Sequence, residues 1–150
     1  MNYMGIDPGK KGGLALMNSS GNLGLTFRMP MYKTQYDLQK IKELLIGNNI
    51  AMIFLERVQA IKGAGAGSTF VFGYGAGLLE GMISALGIPY RFVRPKEWQR
   101  IAHKGVVGGS AKEKSLVAAK QRYPGIGDHD GIIDAILICE YGLKEFVHNV

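Results

Sequence analysis

The chain has 150 residues, 47% of them hydrophobic and 20% charged, which excludes a disordered polymer because enough apolar side chains are present to form a core. At this length we expect one domain over residues 1–150 and exclude a two-domain enzyme. The net charge of +6 favours a polyanionic partner such as nucleic acid, although solubility alone also accounts for a basic balance of this size.

Five strands are predicted from short apolar runs that are bounded by turn residues. The run over residues 50–55 is apolar throughout, which is typical of a strand buried on both faces of a sheet. The predicted strands cover residues 2–6, 13–18, 23–29, 50–55 and 89–93.

Five helices are predicted from apolar residues at helical spacing and from Gly and Pro signals at their ends. Gly-rich loops are predicted over residues 63–67 and 106–110. The order of elements predicts an α/β layer structure with a mixed five-stranded sheet, whose strand order the sequence leaves open. The predicted helices cover residues 35–46, 70–86, 95–102, 111–123 and 130–147.

Two acidic residues directly follow predicted strands. Asp7 ends the first strand and Glu56 ends the buried strand over residues 50–55. A carboxylate that a rigid strand holds at the end of a sheet is well placed to bind a metal ion. The alternatives are that Asp7 only opens the Asp-Pro-Gly turn and that Glu56 forms a salt bridge with Arg57 or a lysine.

A second acidic pair, Asp130 and Asp134, lies at the start of the last predicted helix. Residues four apart project from one helix face, so the two carboxylates repel each other unless a cation lies between them. Asp130 is alternatively an N-cap or first-turn acid, whereas Asp134 lies too deep in the helix for that role. His129 directly precedes them, and three roles are open to it: metal ligand, general acid or ordinary loop residue.

These candidate ligands offer oxygen and one imidazole but no thiolate, which favours Mg²⁺ or Mn²⁺ over zinc. Two such ions about 4 Å apart suit the attack of water on a phosphodiester. The sequence contains neither a phosphate-binding loop of the G-x-x-x-x-G-K-[ST] type nor a G-x-S-x-G nucleophile elbow.

Basic charge is concentrated in one third of the chain. Residues 91–122 carry nine basic and two acidic residues, a net charge of +7, and the rest of the chain is close to neutral. This window predicts a surface that binds a nucleic-acid backbone, including through Arg94 and Arg100, with a solvated helix face as the alternative. The basic residues are Arg91, Arg94, Lys96, Arg100, Lys104, Lys112, Lys114, Lys120 and Arg122.

Three aromatic residues, Phe70, Phe72 and Tyr74, stand at the start of the helix predicted over residues 70–86. They suit stacking on bases at a branch point, but alternating aromatics are more often part of a core. The same helix, with its small residues and Met82, is the predicted dimer face.

Four stretches spread over nearly the whole chain share the order and spacing of one family. They are Gly5-Ile6-Asp7-Pro8-Gly9 with a glycine-rich second strand, Phe54-Leu55-Glu56-Arg57-Val58, Gly109-Ser110-Ala111 with Glu113-Lys114-Ser115, and His129-Asp130-Gly131 with Asp134-Ala135. Together they resemble the RuvC-like Holliday-junction resolvases of the ribonuclease H superfamily, most closely the phage-encoded branch.

The resemblance implies a ribonuclease H-like three-layer fold, with helices flanking a mixed five-stranded sheet. It also implies a crossover junction endodeoxyribonuclease of DNA recombination and repair, acting as a homodimer in which each protomer nicks one of two opposed strands. Asp7, Glu56 and Asp134 match the carboxylates that bind two divalent metals in this family. Lys114, and one of Lys104 or Lys112, match residues that contact phosphates near the scissile bond.

The chain departs from the family at three places. An extra residue separates Ser110 from Glu113. Gly131 stands where cellular members have their fourth carboxylate, so Asp130 is the expected substitute, with His129 as the alternative. Gln59 replaces an aromatic that stacks on junction bases, so we expect a relaxed nuclease that also accepts forks or other branches.

Two other functions fit parts of the sequence. The first is a branched-DNA-binding protein whose carboxylates no longer catalyse cleavage. The second is an actin-like phosphotransferase, whose strand-Asp-x-Gly start is similar but whose architecture needs two domains.

The cellular compartment is predicted from Cys139, and membrane association is judged from hydropathy. A single cysteine cannot form an internal disulfide, which favours a reducing, cytoplasmic setting. No apolar run reaches about 18 residues and the start of the chain does not resemble a leader, so we expect no membrane association.

Overall fold

The structure is a computed structural model of the chain and describes residues 1–57, 59, 63 and 65–149. Across these ranges, no helix combines the length and the apolar character that crossing a bilayer requires. The strands are β1 (Asn2–Asp7), β2 (Gly13–Asn18), β3 (Leu23–Arg28), β4 (Met31–Tyr32), β5 (Gln35–Tyr36), β6 (Ile50–Glu56) and β7 (Tyr90–Val93). The helices are α1 (Leu38–Gly47), α2 (Ala66–Ala85), α3 (Pro95–Ala102), α4 (Ala111–Arg122) and α5 (Asp130–Leu143), and a π-helix, Lys144–His148, follows α5.

The five long strands form one sheet in the order β3-β2-β1-β6-β7. β1 pairs antiparallel with β2 and parallel with β6, and β6 pairs parallel with β7. The predicted mixed five-stranded sheet is therefore confirmed. Its central strands, β1 and β6, are neighbours although 42 residues separate them in the chain, so their carboxyl ends meet at one edge of the sheet.

Helices cover both faces of the sheet, as a strand that is apolar on both sides requires. Successive side chains of a strand point to opposite faces. On β6, Ile53 and Leu55 belong to a core shared with α1 and α2, whereas Phe54 belongs to a core shared with α3, α4 and α5. The chain is thus a three-layer α/β structure.

Helix α5 packs directly on β1. A Cβ atom at Gly5 would lie 2.1 Å from the carbonyl oxygen of Ala135 and 2.6 Å from the backbone nitrogen of Cys139. Such distances exclude any side chain at position 5, because real Cβ atoms do not approach backbone this closely. Glycine on the central strand therefore sets how closely α5 approaches the sheet.

Three predicted helix boundaries are wrong by more than one residue. The helix predicted from Gln35 begins at Leu38, because Gln35 and Tyr36 pair with β4 and the Asp37 side chain caps the backbone N–H of Lys40. Helix α2 starts at Ala66 rather than Phe70, so Ala66 and Gly67 of the predicted loop are helical, while Ala64 of that loop lies outside the described residues. The last α-helix ends at Leu143 and continues as a π-helix.

Candidate active site

The parallel pairing of β1 with β6 places two of the predicted acids side by side. The register pairs Ile6 with Leu55, so Asp7 and Glu56 each follow the last paired residue of adjacent strands. Neighbouring strands in a sheet are about 4.8 Å apart. The backbone N–H of Gly9 donates to Asp7 Oδ1 at 3.3 Å, so Asp7 also organises the Asp-Pro-Gly turn.

Asp134 reaches the same edge because the start of α5 docks on the turn between β1 and β2. Gly12 and Gly131 form an isolated parallel β-bridge. A Cβ atom at Gly131 would lie 2.3 Å from the Lys11 carbonyl oxygen, so only glycine fits. One turn beyond this contact, α5 presents Asp134 next to Asp7.

The three carboxyl groups have a raised affinity for protons, above all because they are buried. Burial raises the pKa of Glu56 to about 7, and the charges of Asp7 and Asp134 add to the increase. Burial likewise raises the pKa of Asp134 to about 7, with further contributions from Asp7 and Asp130. Burial raises the pKa of Asp7, while the Gly9 N–H and the charge of His129 oppose the increase. The edge of the sheet is therefore a place where a cation would relieve repulsion.

Glu56 accepts a hydrogen bond from Trp98, whose indole Nε1 lies 2.8 Å from Glu56 Oε1. The salt bridge to Arg57 considered from the sequence does not form within the part of the chain that the structure describes. Instead, the Arg57 guanidinium carbon lies 5.3 Å from the centroid of the Phe92 ring. Glu56 is thus a partly buried carboxylate held by a neutral donor.

A second donor lies beside Asp134. Ser115 on α4 is 3% exposed, and its hydroxyl opposes the rise in the pKa of Asp134 that burial and the neighbouring acids cause. The Ser115 Oγ also lies 2.9 Å from Nε2 of His103, at the end of α3. Helix α3 therefore supplies a donor to Glu56, and α4 places a buried hydroxyl near Asp134.

Asp130 and His129 lie at the start of α5 but play different parts. The carboxylate Oδ2 of Asp130 is 2.9 Å from Lys112 Nζ, and the Asp130 side chain is 55% exposed. His129 is the N-cap of α5, since its Nδ1 accepts a hydrogen bond from the backbone N–H of Ile132. The helix is therefore capped by the histidine, and Asp130 is an acid of its first turn.

A cavity of about 450 Å³ opens beside Asp7 and Asp134, whereas Glu56 does not line it. Its wall includes acidic and basic side chains together with the aromatic rings of Tyr36 and Phe72. Such a mixture suits a phosphate ester whose charge the lysines attract while the acids hold a cation. The charged residues of the wall are Asp7, Lys10, Lys11, Lys112, Asp130 and Asp134.

The other predicted DNA-binding residues lie outside the cavity. In the ranges that the structure covers, Arg100, Lys104 and Lys114 form no ion pair, and Arg94 is 3.9 Å from Glu97. Lys114 is half-buried, and its charge contributes to lowering the pKa of His103 after the larger effect of burial. Arg94, Arg100 and Lys104 are exposed on or next to α3.

The aromatic residues at the start of α2 are not core residues. Phe70 is 71% exposed, Phe72 41% and Tyr74 55%, and the Phe70 and Tyr74 rings stack with centroids 6.1 Å apart. A Cβ atom at Gly73 or Gly77 would contact nothing in the described residues, so these glycines pack against no other part of them. The interpretation of the three aromatics as core residues is wrong, because the sheet already buries α2 through Leu79 and Ile83.

The donor set fits a divalent cation. Asp7, Glu56 and Asp134 are hard oxygen donors that destabilise one another when ionised, and Asp130 extends the set. Among the described residues, however, no three His, Cys, Asp or Glu side chains already stand at the spacing of a formed metal cluster. A bound cation would therefore draw the carboxylates together.

Sequence reasoning missed five residues of this region, namely Lys10, Lys11, Tyr36, Trp98 and Ser115. Two features of the sequence could have indicated three of these residues. Lys10 and Lys11 follow the Asp-Pro-Gly turn directly, and Trp98 is the one tryptophan of the chain, within a helix that is otherwise largely polar. The Tyr36 hydroxyl donates to the Pro8 carbonyl oxygen at 2.8 Å, a contact across 28 residues that no local pattern predicts.

The chain is similar to known proteins in structure, but comparisons of its sequence find no match. No protein-family model matches the chain, and no curated protein is similar to it in sequence. The chain is similar to Thermus thermophilus RuvC in complex with a Holliday junction substrate, with a TM-score of 0.71, 14% identity, and coverage of 94% of this chain and 91% of that chain. A second Thermus thermophilus RuvC structure gives a TM-score of 0.65 and 18% identity over 94% of this chain and 92% of that chain.

A viral protein shares the fold over its whole length. The fowlpox virus resolvase, in complex with Holliday junction DNA, gives a TM-score of 0.55 and 15% identity over 98% of this chain and 99% of that chain. The predicted ribonuclease H-like fold is therefore confirmed. In particular, the chain has the fold of the RuvC and fowlpox virus Holliday-junction resolvases.

Proposed function

We propose that the protein is a metal-dependent endonuclease that resolves Holliday junctions or other branched DNA by paired nicks. The observation that carries this proposal is the meeting of Asp7, Glu56 and Asp134 at one edge of the sheet, where Asp7 and Asp134 also line a cavity together with three lysines. The fold supports it, because structures of this fold were solved with Holliday junctions bound.

Asp7, Glu56 and Asp134 would hold two Mg²⁺ ions, with Mn²⁺ as a possible substitute, and Asp130 would complete the set. Bound ions of this kind supply an activated water and stabilise the leaving oxygen of a phosphodiester. Lys112 stands in the cavity wall and attracts the scissile phosphate, and Lys114 adds positive charge from α4. Arg94, Arg100 and Lys104 hold the flanking backbone.

The proposal includes a homodimer. One chain carries one carboxylate cluster, so two opposed nicks in a four-way junction need two copies. The unpacked glycines Gly77 and Gly81, which lie beyond the exposed aromatic start of α2, support the rest of this helix as the face between them. A cytoplasmic setting belongs to the same proposal, supported by the free and buried Cys139.

A branched-DNA-binding protein without catalysis is the alternative of the same fold. The mutual repulsion of the three buried carboxylates argues against it, because carboxyl groups with such raised pKa values are typical of functional sites. The actin-like phosphotransferase is less well supported, because the solved structures to which this fold is similar include RuvC and the fowlpox virus resolvase.

The test is a nicking assay with a labelled four-way junction and a linear duplex of the same arm sequence, in Mg²⁺. We expect nicks in the junction only, and loss of about a thousandfold or more in rate for Asp7→Asn with junction binding retained. Glu43→Gln, an exposed acid on α1, is the matched control and should cut normally. A folded, junction-bound protein that never nicks would establish the binding-only alternative, and a fully active Asp7→Asn would contradict the proposed site.

A further inference from the structure

The contact between Trp98 and Glu56 joins a core residue to a proposed metal ligand. Trp98 is 1% exposed, and its indole N–H donates to Glu56 Oε1 at 2.8 Å. An indole has one donor and no acceptor, so a buried one needs a partner. Here that partner is a carboxylate of the candidate active site.

The fold brings these residues together through strand register. Glu56 pairs with Val93 on β7, and the chain enters α3 two residues later, at Pro95. The backbone N–H of Arg94 donates to Glu97 Oε2 at 3.1 Å, and this bond fixes where α3 begins. Trp98, one turn into α3, is therefore directed back toward the end of β6.

The indole ring has little freedom to move. It belongs to the core formed by α3, α4 and α5 with the sheet, and it lies edge-on to the His103 ring with centroids 6.0 Å apart. A donor that the core immobilises fixes the carboxylate that it contacts. Within the described residues, Oε1 accepts this bond and Oε2 accepts none.

We propose that Trp98 is a positioning residue, which holds Oε1 of Glu56 so that Oε2 is directed toward the bound metal. The inference rests on the proposed function, since it requires a metal at the carboxylate cluster. Partners that orient a ligand in this way typically contribute a factor of ten to a hundred in metal affinity.

A purely structural role for Trp98 makes a different prediction. If Trp98 only filled the core, removal of its N–H would lower the melting temperature and leave metal affinity unchanged. The readout that separates the two roles is therefore Mn²⁺ affinity rather than stability or nicking rate.

The chain contains one tryptophan, so residue-wide replacement in a tryptophan auxotroph changes Trp98 alone. Benzothienylalanine replaces the indole N–H by sulfur at nearly constant shape, and 5-fluorotryptophan, which keeps the N–H, is the matched control. Mn²⁺ binding to each protein is measured by electron paramagnetic resonance, together with melting temperature and nicking across a Mn²⁺ titration.

We expect the benzothienyl protein to bind Mn²⁺ at least tenfold more weakly than the fluoro control and to recover nicking at high Mn²⁺. Equal affinities, within twofold, would overturn the positioning role while leaving the proposed function intact. If unmodified protein binds no Mn²⁺, both proposals fail together. Trp98→Phe should match the benzothienyl protein in affinity, and normal Mn²⁺ binding by that variant would also overturn the role.

Discussion

Lys112 Nζ lies 2.9 Å from Asp130 Oδ2, so a lysine predicted to bind DNA neutralises the acid predicted as the fourth metal ligand. Both side chains are more than half exposed, and exposed pairs of this kind contribute little to stability. The pair instead couples two roles: a cation bound at Asp130 would release Lys112 toward phosphate.

This coupling predicts unequal effects for the two acids of α5. Asp134→Asn should lower nicking by about a thousandfold, because Asp134 lies beside Asp7, whereas Asp130→Asn should cost only about tenfold because Lys112 is released at the same time. Single-turnover nicking at saturating Mg²⁺ measures both. Equal losses would show that the release of Lys112 does not offset the loss of Asp130.

The raised pKa values predict that metal-free protein loses stability as pH rises. Glu56 and Asp134 have pKa values of about 7 in the folded protein, above their unfolded values, so the folded state binds more protons between about pH 4 and 7. The free energy of unfolding therefore falls as pH increases across this window. Thermal melts in EDTA should show a melting temperature several degrees lower at pH 8 than at pH 5, with Mg²⁺ reversing the loss at pH 8.

Glu56→Gln isolates the contribution of one carboxyl. The amide oxygen still accepts the bond from Trp98 but carries no charge, so the metal-free variant should melt above wild type at pH 8. Glu43→Gln, which changes an exposed acid, should leave the pH dependence unaltered. A Glu56→Gln melt with the wild-type pH dependence would contradict the assignment.

The close contact at Gly131 predicts that a larger residue at this position disturbs the docking of α5. Gly131→Ala places a Cβ 2.3 Å from the Lys11 carbonyl oxygen, so it should lower the melting temperature and, by displacing Asp134, reduce nicking. Gly127→Ala is the matched control, since a Cβ there meets nothing within 4 Å. Comparable behaviour of the two variants would show that the contact at Gly131 is not needed.

The exposed aromatics predict a binding defect without a folding defect. Phe70→Ala combined with Tyr74→Ala removes two stacked, solvent-facing rings at the start of α2, the helix that supplies Phe72 to the cavity wall, and stacking of a base on them would be lost. Base stacking contributes about 1–3 kcal/mol per base. Junction affinity should fall at least fivefold with melting temperature unchanged, whereas Leu25→Ala, an exposed change on β3, should alter neither. Unchanged affinity in the double variant would exclude the rings from the DNA interface.

The basic residues of α3 and its end predict a change in salt dependence. Each lost phosphate contact reduces the slope of log affinity against log salt by about 1. Arg100→Ala combined with Lys104→Ala should therefore reduce the slope for junction binding by about 2. Lys42→Ala, an exposed change on α1, should leave it unaltered. An unchanged slope in the double variant would remove both residues from the interface.

The parts of the fold that the sequence predicted depend on local pattern. The apolar run before Glu56 and the Asp-Pro-Gly turn after Ile6 marked the strand ends that place Glu56 and Asp7 at the sheet edge. The start of α1 was missed because Tyr36 is used in a tertiary contact with Pro8, which overrides helical spacing. The sheet order was open because β1 and β6 are far apart in the chain.

The surroundings of the acids depend on contacts between distant residues, which periodicity cannot predict. Trp98 and Glu56 are 42 residues apart, and Gly12 meets Gly131 from the other end of the chain. The spacing of Asp130 and Asp134 correctly placed them on one helix face, but it could not reveal that Lys112 is bound to the first of them.

The single tryptophan of the chain also allows the site to be followed by intrinsic fluorescence. Because the Trp98 indole touches Glu56, its emission reports directly on that carboxylate. Paramagnetic Mn²⁺ bound there would quench the fluorescence, whereas Mg²⁺ would not, so exchange between the two ions could be followed in real time without any label.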